Sequence, residues 1–207
     1  MESKIGESRQ AAILNFWFGD LKEGKVPPEK LSRMWWAKDE ETDKYIRVNF
    51  EQDLSDAVEG RLGEWENSPR GMLALIILLD QFSRNMYRDT SGAFAQDQLA
   101  LVLALRGIEK GFDNKLHPVM RVFHYMPFMH SESPEMQRIS LELFKALERD
   151  FTSPPELARM LSTNREYAER HYAIIKRFER YPHRNKILGR ESTPEELEFL
   201  KQPGSSF

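Results

Sequence analysis

Asp80, Gln81, Ser83, Arg84, Asn85 and Arg88 cluster at the end of eight successive apolar residues, 72 to 79. A run of that length covers every face of a helix. A helix continuing into Asp80 and Arg84 therefore carries charge toward the interior, where it must be paired or used. Asp80, Arg84 and Arg88 are spaced i, i+4, i+8 and stack along one face of a continuous helix. Two chemistries fit. In the structural one the three residues form a salt-bridged ladder, the arginines hold free terminal carbonyls, and Asn85 takes a left-handed cap position. In the functional one Arg84 and Arg88 fork onto a carboxylate or phosphate, oriented by Asp80. The ladder is the commoner arrangement, and it predicts a buried Asp80 whose first partner is Arg84.

A second polar string echoes the first. Arg84-Asn85, followed by Arg88 and Thr90, is matched by Arg184-Asn185, followed by Arg190 and Ser192-Thr193. Each string leads into a new helix, where free amides and the positive end of the dipole attract anions. The two segments are expected to meet in space, as one anion site or as two unrelated caps. Between them lies His130-Ser131-Glu132, confined by Pro127, which should kink or end its helix, and by Pro134, which opens the next. A histidine beside a carboxylate suits general acid/base work or a pH-sensitive hinge. The bland alternative has His130 donating to a carbonyl freed by the kink, with Ser131 or Glu132 capping the bend.

The candidate ligand-binding residues are thus Arg84, Asn85, Arg88, Glu132, Arg184, Asn185 and Arg190, and the candidate acid/base residues are His130 and His183. His124 extends the set, but no pair of histidines at i, i+4 with a nearby acid supports a metal, and none is expected. Ser83 and Ser131 lack a glycine-flanked nucleophile turn. Walker and Gly-x-Gly-x-x-Gly motifs are absent too, so nucleotide folds are excluded and no cofactor is expected. Residues 176 to 190 carry six Lys or Arg against Glu179 alone, with acids at 191, 195, 196 and 198 following at once. That alternation reads as an internally paired surface rather than a nucleic-acid groove. Trp17, Trp35, Trp36 and Trp65 all lie in the first third. Burial between the first helices and the central hairpin is the simpler account, an aromatic groove for a partner helix or a cationic ligand the other.

Helices must position these residues. The stripe Ile13, Leu14, Trp17 and Phe18 predicts a short first helix ending at Gly19-Asp20, and Ile46, Phe50, Leu54, Ala57, Val58 and Leu62 predict a second after Asp39 as N-cap. Ser68-Pro69, Ser133-Pro134, Ser153-Pro154 and Thr193-Pro194 each place a capping hydroxyl before a proline at the first helical position. Ser153 with Glu156 and Thr193 with Glu196 also match the capping box. Helices follow near 69–86, 91–110, 118–129, 134–149, 154–180 and 194–201, with no competing strand pattern. Short connections predict antiparallel hairpins round one core. Ala93, Asp97, Ala100 and Ala104 loosely suggest a tetratricopeptide-like hairpin, without a regular repeat.

The 207 residues, 40% hydrophobic and 30% charged, suit a single domain with one core. A net charge of −3 gives no global attraction to nucleic acid or anionic membrane. With no cysteine, disulfides and thiolate zinc sites are excluded and the cytosol is the expected compartment. Residues 1 to 10 do not form a secretion signal, and no apolar run approaches the roughly 18 residues of a membrane span.

Four strings occur in a characteristic order: Ile13-Leu14-x-Phe16-Trp17-Phe18-Gly19, Leu79-Asp80-Gln81-Phe82-Ser83-Arg84-Asn85-x-x-Arg88, Pro127-Phe128-Met129-His130-Ser131-Glu132 and His183-Arg184-Asn185-x-x-Leu188-Gly189-Arg190-x-Ser192-Thr193. Together they resemble the bacterial "domain of unknown function 924" family over residues 10 to 201. The resemblance implies an all-α, tetratricopeptide-like superhelical array of antiparallel hairpins. It carries no catalytic assignment and implies partner binding by analogy alone. The leading expectation is a helical protein holding an anionic small molecule or peptide terminus in a polar concavity. The alternatives are an enzyme independent of metal and nucleotide that uses His130 or His183 as acid/base, and a protein-interaction scaffold.

Overall fold

The computed structural model describes the backbone of residues 2–206 and the side chains of residues 9–206. The α-helices are α1 (Glu2–Phe18), α2 (Glu29–Trp36), α3 (Glu40–Val58), α4 (Pro69–Ile76), α5 (Ser83–Met86), α6 (Asp97–Glu109), α7 (Pro118–His130), α8 (Pro134–Asp150), α9 (Pro155–Phe178) and α10 (Pro194–Phe199), and the described residues contain no strand. A π-helical stretch, Ile77–Phe82, joins α4 to α5.

Side-chain capping accounts for the starts of α3, α4, α8 and α10. Asp39 accepts from Thr42 N, Ser68 from Gly71 N and Ser133 from Met136 N, and Thr193 with Glu196 closes a full capping box. Ser153 is the exception. The second of two consecutive prolines, Pro155, takes the first helical position, leaving Pro154, which has no side-chain acceptor, at the cap. The box expected with Glu156 does not form. Helix α1 runs back to Glu2, well beyond the apolar stripe. Helix α2, unpredicted, is only eight residues long and starts at Pro28 with no side-chain cap.

The apolar run does what its composition requires: every residue from Gly71 to Phe82 is buried. Around it pack α1, α3, α6 and α7, and α7 is itself buried from Pro118 to Met129. Three of the four tryptophans, Trp17, Trp35 and Trp65, enter this core, with Trp35 Nε1 donating to Trp17 O at 2.9 Å. Pro127 does not end α7, which continues to His130. The terminal carbonyls are taken instead by side chains from later in the chain: Gln137 Nε2 donates to Met129 O (2.6 Å) and Ser131 O (2.7 Å), and the Tyr181 hydroxyl to Met129 O (2.5 Å).

Chain reversals set the direction of the next three helices. Gln137 reaches the end of α7 while Phe144, further along α8, packs on Tyr125, so α7 and α8 are antiparallel. Four residues separate α8 from α9, which turn back again, leaving α7 and α9 side by side and parallel. A smaller cluster of Ile174, Ile175 and Tyr181, closed by Phe178 and Phe199, fixes the C-terminal segment to the end of α9.

Gly107 permits a close helix approach in this core. A Cβ there would overlap the imidazole of His124, which is buried in α7 and bonds through Nε2 to Ala104 O at 3.0 Å. Gly107→Ala therefore overpacks the α6–α7 contact. The expected loss is about 1–3 kcal/mol, despite the gain of about 1 kcal/mol in helix propensity. Denaturant unfolding of the variant checks this, and an unchanged or raised midpoint contradicts it.

Candidate functional site

The segment carrying Asp80 lies at the buried end of a cavity of about 1000 Å³. One wall is the π-helical stretch and α5, with Gln81, Arg84, Asn85 and Arg88. Another is α7, with Met126, Met129 and His130. A third is α9, whose residues from Glu156 to His171 face inward at spacings of three and four. Tyr181, His183 and Arg184 close the end, and Trp36, the one exposed tryptophan (56%), stands at the rim.

Asp80 is fully buried, with 0% exposure. Burial alone would raise its carboxyl. The charge of Arg84, with hydrogen bonds from His130 and Gln81, outweighs that and holds it well below the usual carboxylate range. Arg84 Nη1 is 3.1 Å from Oδ1, His130 Nδ1 is 2.7 Å from Oδ1, and Gln81 Nε2 donates to Oδ2 at 2.6 Å. The expected Asp80–Arg84 pair is present. His130 bonds to this carboxylate rather than to a carbonyl freed by Pro127. Burial, then Arg84, pulls His130 below the ordinary histidine value. An ionised carboxylate can only accept, so the neutral ring carries its proton on Nδ1 and has a lone pair on Nε2.

The ladder stops at Arg84. Helix α5 ends at Met86, and Arg88 forks onto Asp43 of α3 at 2.7 and 2.8 Å. Asn85 stays helical and donates to the same carboxylate at 2.7 Å, while Asp89 (φ 61°) takes the left-handed position expected of Asn85.

Arg84 and Arg184, 100 positions apart, meet on one carboxylate, Asp97. Arg84 Nη2 donates to it at 3.0 Å and Arg184 Nη1 at 3.2 Å. The Arg184 guanidinium lies 4.5 Å from the ring centroids of both Phe94 and Tyr181. Its Nε is shielded from solvent and has no hydrogen-bond partner among the described residues. Burial, then the neighbouring Arg84, lowers the Arg184 pKa from the ordinary guanidinium value. Both arginines line the cavity, whereas Asp80 and Asp97 stand behind them.

Three sequence candidates lie outside the cavity lining. Glu132 and Arg190 form a two-bond ion pair (2.7 and 2.9 Å), and Glu132 also accepts from Tyr181 N at 2.7 Å. Asn185 is fully buried and donates to Ser192 Oγ at 3.0 Å. Their bonds are spent on holding the 181–193 segment against the α7–α8 turn and α10. Arg177, Arg180 and Lys201 pair with acids of the same C-terminal region, as the charge alternation suggested. His183 and His171 do line the cavity. Burial is the main cause that lowers them to about 4 and about 3, so both are neutral at pH 7. No group of acids and histidines among the described residues could hold a metal.

Sequence reasoning missed Asp97, Phe94, His171 and Tyr181 as members of this site. For His171 a signal existed, since Met160, Asn164, Tyr167 and His171 recur at helical spacing. Asp97 and Phe94 offered none beyond their residue type.

A model of the bacterial protein family of unknown function DUF924 matches residues 13–204. The chain is also similar to a solved structure, the protein of unknown function ATU0120 from Agrobacterium tumefaciens. Identity is 33%, with 94% of this chain and 98% of that chain covered and a TM-score of 0.79. No curated protein matches the chain. No helix among the described residues is long and apolar enough to cross a membrane.

Two predictions follow from the electrostatics. Asp80→Ala leaves the buried Arg84 short of a counter-charge and is expected to cost about 3 kcal/mol or more; a thermal midpoint equal to wild type contradicts this. The second concerns pH. His171 and His183 titrate near 3 and 4 when folded but near 6.5 when unfolded. Below pH 6.5 the unfolded chain binds more protons, so their contribution is complete above 6.5 and is lost as pH falls toward 4 and 3. The slope is on the order of 1 kcal/mol per pH unit for each histidine. Thermal midpoints measured from pH 7.5 to 4.5 should fall steadily below 6.5, and a flat profile contradicts the neutral, buried state.

Proposed function

The chain belongs to the bacterial DUF924 family, and from the charge and burial at the closed end of its cavity we propose that it binds an anionic small molecule or the acidic end of a peptide. Arg184 carries this reading. Its guanidinium is clamped between two rings, shares its counter-ion with Arg84, and keeps a buried Nε without an acceptor. An unmet buried donor costs about 1–3 kcal/mol, and the two arginines face the cavity while their counter-ions, Asp80 and Asp97, stand behind them. A ligand carboxylate or phosphate meeting Arg84 and Arg184 supplies the missing acceptor, in the bidentate geometry that guanidinium favours.

A metal-independent enzyme is the second reading, and the Asp80–His130 pair supports it. A neutral imidazole whose Nδ1–H is held by an ionised carboxylate and whose Nε2 makes no hydrogen bond among the described residues is equipped as a general base. A scaffold whose polar motifs only cap helices accounts for Glu132, Asn185 and Arg190, but not for Arg184. Consecutive packing of α6, α7, α8 and α9 supports a tetratricopeptide-like array without regular repeats.

Thermal shift with sulfate, phosphate and acetate tests the anion site. An anion at 100 times its dissociation constant adds about 2.7 kcal/mol of stability. Arg184→Met, which retains the apolar stem, should fold and lose the shift. Arg190→Ala should lower the starting midpoint yet keep the shift, because its ion pair is structural. If no anion raises the wild-type midpoint, or if Arg184→Met responds as wild type does, the reading fails.

A further inference from the structure

The cavity has two chemically different ends, and their separation can be read along two parallel helices. On α7, Phe123 stacks against Trp36 at 6.1 Å, and seven residues later His130 meets Asp80. At 1.5 Å per residue these points lie about 10 Å apart along the axis. On α9, Met160 precedes His171 by eleven residues, about 16 Å by the same rise, and the His171 ring centroid is 6.4 Å from that of His130. Arg84, Arg184 and the three histidines therefore gather at one end, while the charged residues beside Trp36 and Met160, Lys38, Glu156 and Arg159, are exposed. Trp36 and Met160 lie toward the other, with Met126 and Met129 between.

The wall between the ends is less polar than its residue names imply. On α9 the Thr163 hydroxyl donates to Arg159 O at 3.0 Å and the Asn164 amide to Met160 O at 2.8 Å. Both polar side chains thus spend a donor on their own helix. Methionine thioethers line the same stretch, and their flexibility lets them close on a chain of variable shape.

We infer that the site takes a monoanionic amphiphile: a carboxylate head between Arg84 and Arg184, with a flexible alkyl chain running along the methionines toward Trp36. This rests on the anion-binding reading and adds the ligand class. Charge complementarity selects the head, because Arg84 and Arg184 face the cavity and the carboxylates behind them, Asp80 and Asp97, do not. Apolar area selects the tail, whose affinity must grow with its buried length.

Isothermal titration of the full chain with acetate, butanoate, hexanoate, octanoate and decanoate, below their micelle concentrations, tests this. The dissociation constant should tighten about threefold to fourfold per methylene and stop tightening where the chain reaches Trp36. Tryptophan emission should shift with octanoate but not with acetate. Trp36→Ala removes an exposed ring, so it should fold; it is expected to blunt the gain for the longest chains and leave acetate unchanged. Equal affinity across the series overturns the amphiphile while leaving anion binding intact. Equally tight binding of octyltrimethylammonium overturns the anionic head. Failure of every acid to bind, together with no response to sulfate or phosphate, removes both readings.

Discussion

A carboxylate with no access to water must keep its charge partnered, and Asp80 is that carboxylate here. It sits in the most deeply buried segment of the chain, so its partners must come inside with it. Arg84 comes from the next turn, Gln81 is adjacent, and His130 arrives from α7, 50 positions away. That last bond fixes the end of α7 against the central helix. From Arg84 the requirement passes on: one guanidinium bridges Asp80 and Asp97, and Asp97 in turn holds Arg184. A single desolvated charge thus organises four elements into one end wall.

The π-helical stretch is where this happens. Widened turns of this kind are rare and are found often at functional sites. Here the Ser83 hydroxyl donates to Leu79 O at 2.6 Å inside the stretch, while Asp80, Gln81 and Arg84 are collected at one place. The helix then ends at Met86, so Arg88 goes to Asp43 on another helix rather than extending the ladder.

A second set of ion pairs performs a different task. Glu132 with Arg190, and Glu196 with Arg180 and Asn185, hold residues 180–196 in position. Arg180, the Thr193 amide and Asn185 outweigh the effect of desolvation and depress the Glu196 carboxyl to about 2. This scaffolding brings Tyr181 beneath the end of α7 and Arg184 against Phe94. Polar motifs that look alike in sequence therefore divide between a wall facing the cavity and the clamps behind it.

Local rules determined much of this protein. Helical periodicity, serine or threonine before proline, and a capping box depend on residues within one or two turns, and they located most helices to within a few residues. The burial of Asp80 and its pairing with Arg84 were legible for the same reason, since both residues belong to one helix. The four motif strings also marked the family. Tertiary structure decided everything that depends on distance in space. Nothing near Asp97 in sequence indicates that it will join Arg84 to Arg184, and nothing near His130 says that its partner lies 50 positions earlier. Arg190 and Arg184 are both basic residues on the approach to α10, yet one faces a clamp and the other the cavity. Charge and spacing are the same kind of information for both. Which one meets an empty volume depends on how α7, α9 and the C-terminal segment pack, and packing is a property of the whole chain.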